Sequence, residues 1–172
     1  ALFLYARQLA NPPADLPVIA VLPHFELVER DGSTVGLRDL AGGPWIADFV
    51  FTRCTMVCPL LTGKMKELRS RLPAGSRARS VSISVDPEYD TPEVLTRYAQ
   101  GQGIVGSHWL FLTGEVVRVR GLIREGFLLP VEETPENTAM PVLHSSRFAL
   151  VDGAGQVRGL YEVLEAADFE RL

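Results

Sequence analysis

The run Trp45-Ile46-Ala47-Asp48-Phe49-Val50-Phe51 is nearly continuous in its apolar character. A strand covered on both faces of a sheet reads this way, so a central strand is predicted over 45–51. Ahead of it, Phe25-Glu26-Leu27-Val28 and Thr34-Val35-Gly36-Leu37 flank Asp31-Gly32. Asp-Gly readily takes the φ > 0 turn, so these segments predict a β-hairpin. Beyond the central strand, Leu60, Leu61, Met65 and Leu68 form a helical stripe between Pro59 and Arg71. Pro59 suits the first helical position, where its missing N–H would be unpaired anyway. Lys66, Arg69 and Arg71 lie toward the end where cations suit the helix dipole. Pro73 and Gly75 stop the helix.

The alternation continues with a β-rich strand from Arg79 to Val85. Thr91-Pro92-Glu93 opens a second helix, with Thr as cap, Pro first and an acid in the first turn. It ends near Gly101 or Gly103. His108 to Leu112 reads as a strand, and Thr113 as the cap of a helix through Arg124. Gly126 to Leu143 has no period and carries Pro130, Pro135 and Pro141, so it reads as a long loop. Ser146 to Val151 and Gln156 to Glu162 form a closing hairpin around Asp152-Gly153-Ala154-Gly155, and a last helix begins at Ala166. Crossover helices between strands make a partly parallel sheet covered on both faces. The expected fold is α/β and thioredoxin-like, with an added N-terminal β-hairpin and a long loop before a His-bearing strand. Residues 1–17 read as a lead-in, stiffened by Asn11-Pro12-Pro13 and Pro17, and 18–172 as a single domain. The apolar start, Ala1 to Arg7, reads as the end of a membrane anchor or as a short packing helix.

Composition narrows the functions. The chain has 172 residues, 22% charged, with a formal net charge of −4. Its basic residues are scattered, which argues against nucleic acid as a partner. No stretch of about 18 apolar residues is present, so nothing in the sequence spans a bilayer. Membrane contact is expected only through an N-terminal anchor, and the protein is expected to be a monomer.

The only two cysteines, Cys54 and Cys58, stand at the mouth of the strand-to-helix turn. A disulfide over so short a loop stabilises little, so the pair does not exist for stability. Cys58 is expected at the helix N-terminus, where N–H groups and the dipole favour a thiolate, with Arg53 adding a nearby positive charge. Residues i and i+4 share a helix face. Two thiolates so placed either hold one soft ion or close to a disulfide, and the disulfide is a poor copper site. The histidines are His24, His108 and His144. In thioredoxin-like folds the loop before the third core strand packs on the active-site turn, which brings His144 toward the cysteines. Its other reading is a surface or capping residue.

Three segments share a resemblance. Phe49-Val50-Phe51-Thr52-Arg53-Cys54-Thr55-Met56-Val57-Cys58-Pro59 resembles the signature turn of the Sco/SenC copper-chaperone family. Ser84-Val85-Asp86-Pro87-Glu88-Tyr89-Asp90-Thr91-Pro92 is similar to that family's Asp-Pro-x-x-Asp-Thr-Pro segment. Leu143-His144-Ser145-Ser146, followed by Phe148 to Asp152, is similar to its His-Ser segment before a strand. The resemblance spans roughly 18–165 and implies a thioredoxin-like fold with Cys54, Cys58 and His144 as copper ligands. It implies a role in building the binuclear copper centre of cytochrome c oxidase. The partner would be the oxidase's copper-bearing subunit or another copper chaperone. The location would be the cell envelope, tethered on the periplasmic side of the inner membrane. Thiolates suit Cu(I), and thiolates with imidazole also hold Cu(II). Met56 and Met140 are expected to pack rather than ligate. Asp86 and Asp90 are expected to cap and order their loop rather than support the site. Met56-Val57 and Leu60-Leu61-Thr62 depart from the family pattern and bear on partner choice more than on metal binding.

Other functions compete. A thiol-disulfide reductase would use Cys54 and Cys58 as its catalytic redox pair, although thioredoxin-type enzymes usually have two intervening residues rather than three. A peroxidase turn would need Pro where Phe51 stands. A redox or copper sensor would use the acidic stretch Glu132 to Glu136 as its switch.

Overall fold

The computed structural model describes residues 16–106, 108–134 and 142–172. The lead-in before residue 16, Met140 and most of the proline-rich stretch lie outside the described residues. The central strand β4 (Trp45–Val50) is buried along its whole length. It pairs in parallel with β5 (Arg79–Ser84), which pairs in parallel with β6 (Trp109–Thr113). On its other side β4 meets β9 (Arg147–Val151) antiparallel, followed by β10 (Gln156–Glu162) and the edge strand β1 (Ala20–Val21). The far edge is the hairpin of β2 (Glu26–Glu29) and β3 (Thr34–Gly36), with β2 laid antiparallel on β6. Gly32, at φ 87°, supplies the left-handed turn residue of that hairpin.

Helix α1 (Val57–Arg71) links β4 to β5, and α2 (Pro92–Gly101) links β5 to β6. Leu61, Met65 and Leu68 of α1 pack with Leu95, Ile46, Phe111 and Phe148 on one sheet face. The opposite face carries Trp45, Ala47, Phe49 and Phe51, covered by Leu122, Ile123 and Phe127. The Phe127 ring stands edge-on to Trp45 and Phe49, with centroids 6.1 and 5.1 Å away. Thr91 caps α2 by accepting the Val94 N–H, as its sequence signature predicts.

Several elements differ from the sequence expectations. Thr113 does not cap a helix. It pairs with Val28 in the ladder between β6 and β2, which commits it to the sheet. Helix α3 (Val116–Gly121) starts later, with Glu115 at its cap, and widens into a π turn over Leu122–Gly126. The last helix, α4 (Ala166–Phe169), is a single turn anchored by buried Phe169. Part of the expected long loop is an antiparallel ribbon of β7 (Val131–Glu133) and β8 (Val142–His144), with Val131 opposite His144.

Candidate metal centre

The turn that follows β4 is fixed from below. The Cys54 N–H donates to the Phe51 carbonyl at 3.2 Å. Asp90, fully buried, accepts the Thr52 N–H at 3.1 Å, the Thr52 hydroxyl at 2.5 Å and the Ser84 hydroxyl at 2.6 Å. Burial still holds its carboxyl above the usual carboxylate range, although the Ser84 and Thr52 donors pull the other way. One carboxylate therefore pins the cysteine turn to the end of β5. Asp90→Ala strands these donors, and a loss of about 3 kcal/mol of unfolding free energy is expected by denaturant titration. A loss below about 1 kcal/mol would show that the pin is not structural. Asp86 instead pairs with Arg53 at 2.6 Å, and the guanidinium lies over the Tyr89 ring, 4.4 Å from its centroid. Neither aspartate caps α2, a position held by Thr91.

The start of α1 changes the roles expected for the two thiols. The helix begins at Val57, two residues before Pro59. Pro59 is tolerated in the third position because the first four N–H groups of a helix lack intrahelical partners. Cys54 lies ahead of the helix, and its Sγ accepts the Cys58 N–H at 3.3 Å. Burial raises the Cys54 thiol, but the N–H groups of Cys58, Met56 and Val57, with the Cys58 thiol, outweigh it and leave it below the ordinary cysteine value. Cys58 is wholly enclosed, and burial pushes its thiol well above that value. The thiolate favoured by the helix terminus is thus Cys54, not Cys58 as the sequence suggested. The Arg53 charge does not serve the thiols, because Asp86 neutralises it.

His144 ends β8 and comes in beside Cys58. Its Nε2 stands 3.9 Å from Cys58 Sγ. Its Nδ1 lies 3.0 Å from the Ser145 carbonyl. A carbonyl oxygen can only accept, so Nδ1 carries the proton and Nε2 presents its lone pair toward the sulfur. Desolvation lowers the His144 pKa, which keeps the ring neutral at pH 7. The Phe51 ring meets the imidazole edge-on, with centroids 5.6 Å apart.

The structure thus brings Cys54, Cys58 and His144 to one turn. It does not close them into a cluster of three or more metal donors among the described residues. His24 and His108 line separate clefts elsewhere. Met56 does not pack as expected, since 72% of its surface is exposed.

Asp48 is a further functional candidate, a carboxylate set within the apolar run of β4. It is fully buried in β4, on the face that Ile46 turns to α1. Burial pushes its carboxyl up to about 7, and Ser82, level with it in the parallel ladder, offsets this only in part. Among the described residues, neither oxygen reaches a partner with hydrogen-bond geometry. Its charge acts on Cys58 and Tyr98. The signal was a carboxylate in the middle of an apolar run.

A parallel-centred sheet with a dithiol turn after its middle strand, and an imidazole delivered by a ribbon, defines a thioredoxin-like thiol protein. The SCO1/SenC family model matches residues 15–170, and the chain belongs to that family. The SCO1 protein homolog of Bacillus subtilis is 34% identical over 171 residues, covering 98% of this chain and 88% of that protein. Other relatives are longer, and the chain spans 51 to 65% of their lengths. The structure of BsSco, described as a member of the Sco family of cytochrome c oxidase assembly proteins with a disulfide switch, is 32% identical. It superposes with a TM-score of 0.78, covering 90% of each chain. Yeast Sco1 with copper bound is 26% identical, with a TM-score of 0.66, over 82% of this chain and 78% of that one.

Proposed function

We propose that this protein carries copper for assembly of the binuclear centre of cytochrome c oxidase, holding one ion through Cys54, Cys58 and His144. The observation that supports this reading most is the Nε2 lone pair of His144 facing Cys58 Sγ at 3.9 Å, with Nδ1 engaged by Ser145. A thiolate and an imidazole bound to one zinc-sized ion sit about 3.6 Å apart, close to the observed span. Soft sulfur with imidazole suits copper in either common oxidation state. Copper would displace the proton of the buried Cys58 thiol, so affinity rises with pH. The exposed Met56, Leu60 and Tyr89 flank the turn and form the contact surface for the receiving oxidase subunit or a second copper chaperone. We place this exchange on the outer face of the inner membrane, where disulfides persist.

A dithiol reductase is the second reading. It is favoured by the lowered thiol of Cys54 beside the raised thiol of Cys58, which suit an attacking and a resolving sulfur. One experiment separates the two. Reduced protein is titrated with Cu(I) and Cu(II) and then assayed, with glutathione as the regenerating reductant, for turnover on an oxidised dithiol peptide. Binding of one copper per chain, lost on oxidation, with negligible turnover supports the carrier. Rapid turnover without stoichiometric copper binding sinks it in favour of the reductase.

A further inference from the structure

At the pole opposite the cysteine turn, the amino-terminal ends of β5 and β6 meet the C-terminal end of α1. They enclose an open cleft of about 750 Å³ lined by Arg69, Arg77, Arg79, His108 and Ser76 among others. Among the described residues, no aspartate or glutamate lines it. Arg69 Nη1 donates to the Ser80 hydroxyl at 3.2 Å and the His108 carbonyl at 3.0 Å. Arg79 donates to the Asp39 carbonyl at 2.6 Å and the Ala41 carbonyl at 3.4 Å. These bonds hold both guanidinium groups in place without neutralising them. Arg77 forms no hydrogen bond or ion pair among the described residues. By contrast, Arg53, Arg71, Arg118 and Arg171 each hold a carboxylate.

Three guanidinium groups without counter-charge among the described residues, gathered in one cleft of a chain whose net charge is −4, need an explanation. Like charges held together repel, and Arg69 is also partly desolvated by burial, which lowers its pKa. The planar fork of arginine matches the oxygens of phosphate in pairs. A single carboxylate would be saturated by one fork, whereas a phosphate group offers oxygens to several. We propose that this cleft binds a phosphate group, either as a free polyvalent phosphate anion or as the headgroup of an anionic lipid.

The test uses the full chain in chloride buffer at low ionic strength. Inorganic pyrophosphate is titrated while backbone amide shifts are followed, and vesicles of phosphatidylglycerol in phosphatidylcholine are cosedimented with the protein in parallel. Saturable shifts at Ser76, Arg77, Ala78, Arg79 and His108, without shifts at Cys54 and Cys58, are expected. Arg77→Glu is expected to weaken binding at least about tenfold, and Arg77→Lys less, because it keeps the charge but loses the fork. Arg77 is exposed and makes no hydrogen bond or ion pair among the described residues, so both variants should fold, which a thermal melt checks. Arg97→Glu, on the exposed side of α2, serves as the charge control. Pyrophosphate binding weakened by Arg77→Glu assigns the cleft to free anions. Vesicle binding weakened by Arg77→Glu, without pyrophosphate binding, assigns it to a lipid headgroup. Absence of both, or binding that Arg77→Glu changes no more than Arg97→Glu does, overturns the proposal. Neither arm involves the thiols, so the outcome is independent of copper.

Discussion

Cys58→Ser is expected to weaken Cu(I) binding by at least about a hundredfold, since even residues that only orient metal ligands are worth ten- to a hundredfold. The reasoning starts from burial. Cys58 is fully enclosed, so whatever it binds is shielded from water. A serine there keeps the shape but offers a hard oxygen that stays protonated near neutral pH, and Cu(I) prefers sulfur. His144→Ala should divide the oxidation states differently. It leaves both sulfurs for Cu(I) but removes the nitrogen that suits Cu(II). The expected result is a modest loss for Cu(I), a large loss for Cu(II), and disappearance of the sulfur-to-copper charge-transfer band from the variant's spectrum. Competition with a chromophoric Cu(I) chelator measures the first, and Cu(II) titration the second. If either variant binds both ions within about threefold of the parent, the assignment of these ligands is wrong.

The second large effect concerns Asp48. Its folded pKa of about 7 lies well above the ordinary aspartate value of 3.8. The sign follows from linkage. Below about pH 4 the group is protonated in both states and has no effect. Between there and about pH 7 only the unfolded chain ionises, so rising pH favours unfolding; above pH 7 the penalty is constant. The gap amounts to about 4 kcal/mol at pH 8. Asp48→Asn has nothing to titrate. Its stability relative to the parent should therefore climb by a few kcal/mol between pH 4 and pH 7 and then level off. Glu29 and Asp90 also have raised pKa values, but they are common to both proteins and cancel in the difference. Denaturant unfolding of both proteins across this range provides the measurement. Curves that stay parallel would show that Asp48 is solvated or partnered in solution.

Local patterns carried much of the architecture. The apolar run at 45–51, the Asp31-Gly32 turn and the Thr91-Pro92 helix start each produced the element they predict. Long-range choices were illegible. Thr113 has the chemistry of a cap, and only its pairing with Val28 decides for the sheet. The charge of Arg53 could be read, but Asp86, which takes it, lies 33 residues away. The β7–β8 ribbon was obscured because prolines dominate its surroundings and each strand is only three residues long. At the site, the spacing of Cys54 and Cys58 suggested two sulfurs on one helical face. The structure instead puts one sulfur in front of the helix and the other inside its first turn. That division depends on where the helix starts, the least legible property of any helix.

The sulfur in front of the helix has a consequence for the redox poise of the pair. Met56, the residue at the cap position of α1, makes no side-chain cap, and Cys54 Sγ accepts the Cys58 N–H in its place. A thiolate is a strong acceptor for such an N–H, and a sulfur drawn into a disulfide is a poor one. A helix cap is worth about 1 kcal/mol. That energy belongs to the reduced form alone, and for a two-electron couple it corresponds to about 20 mV of reduction potential. The helix therefore makes the pair easier to keep as dithiol, the form in which both sulfurs can serve a metal.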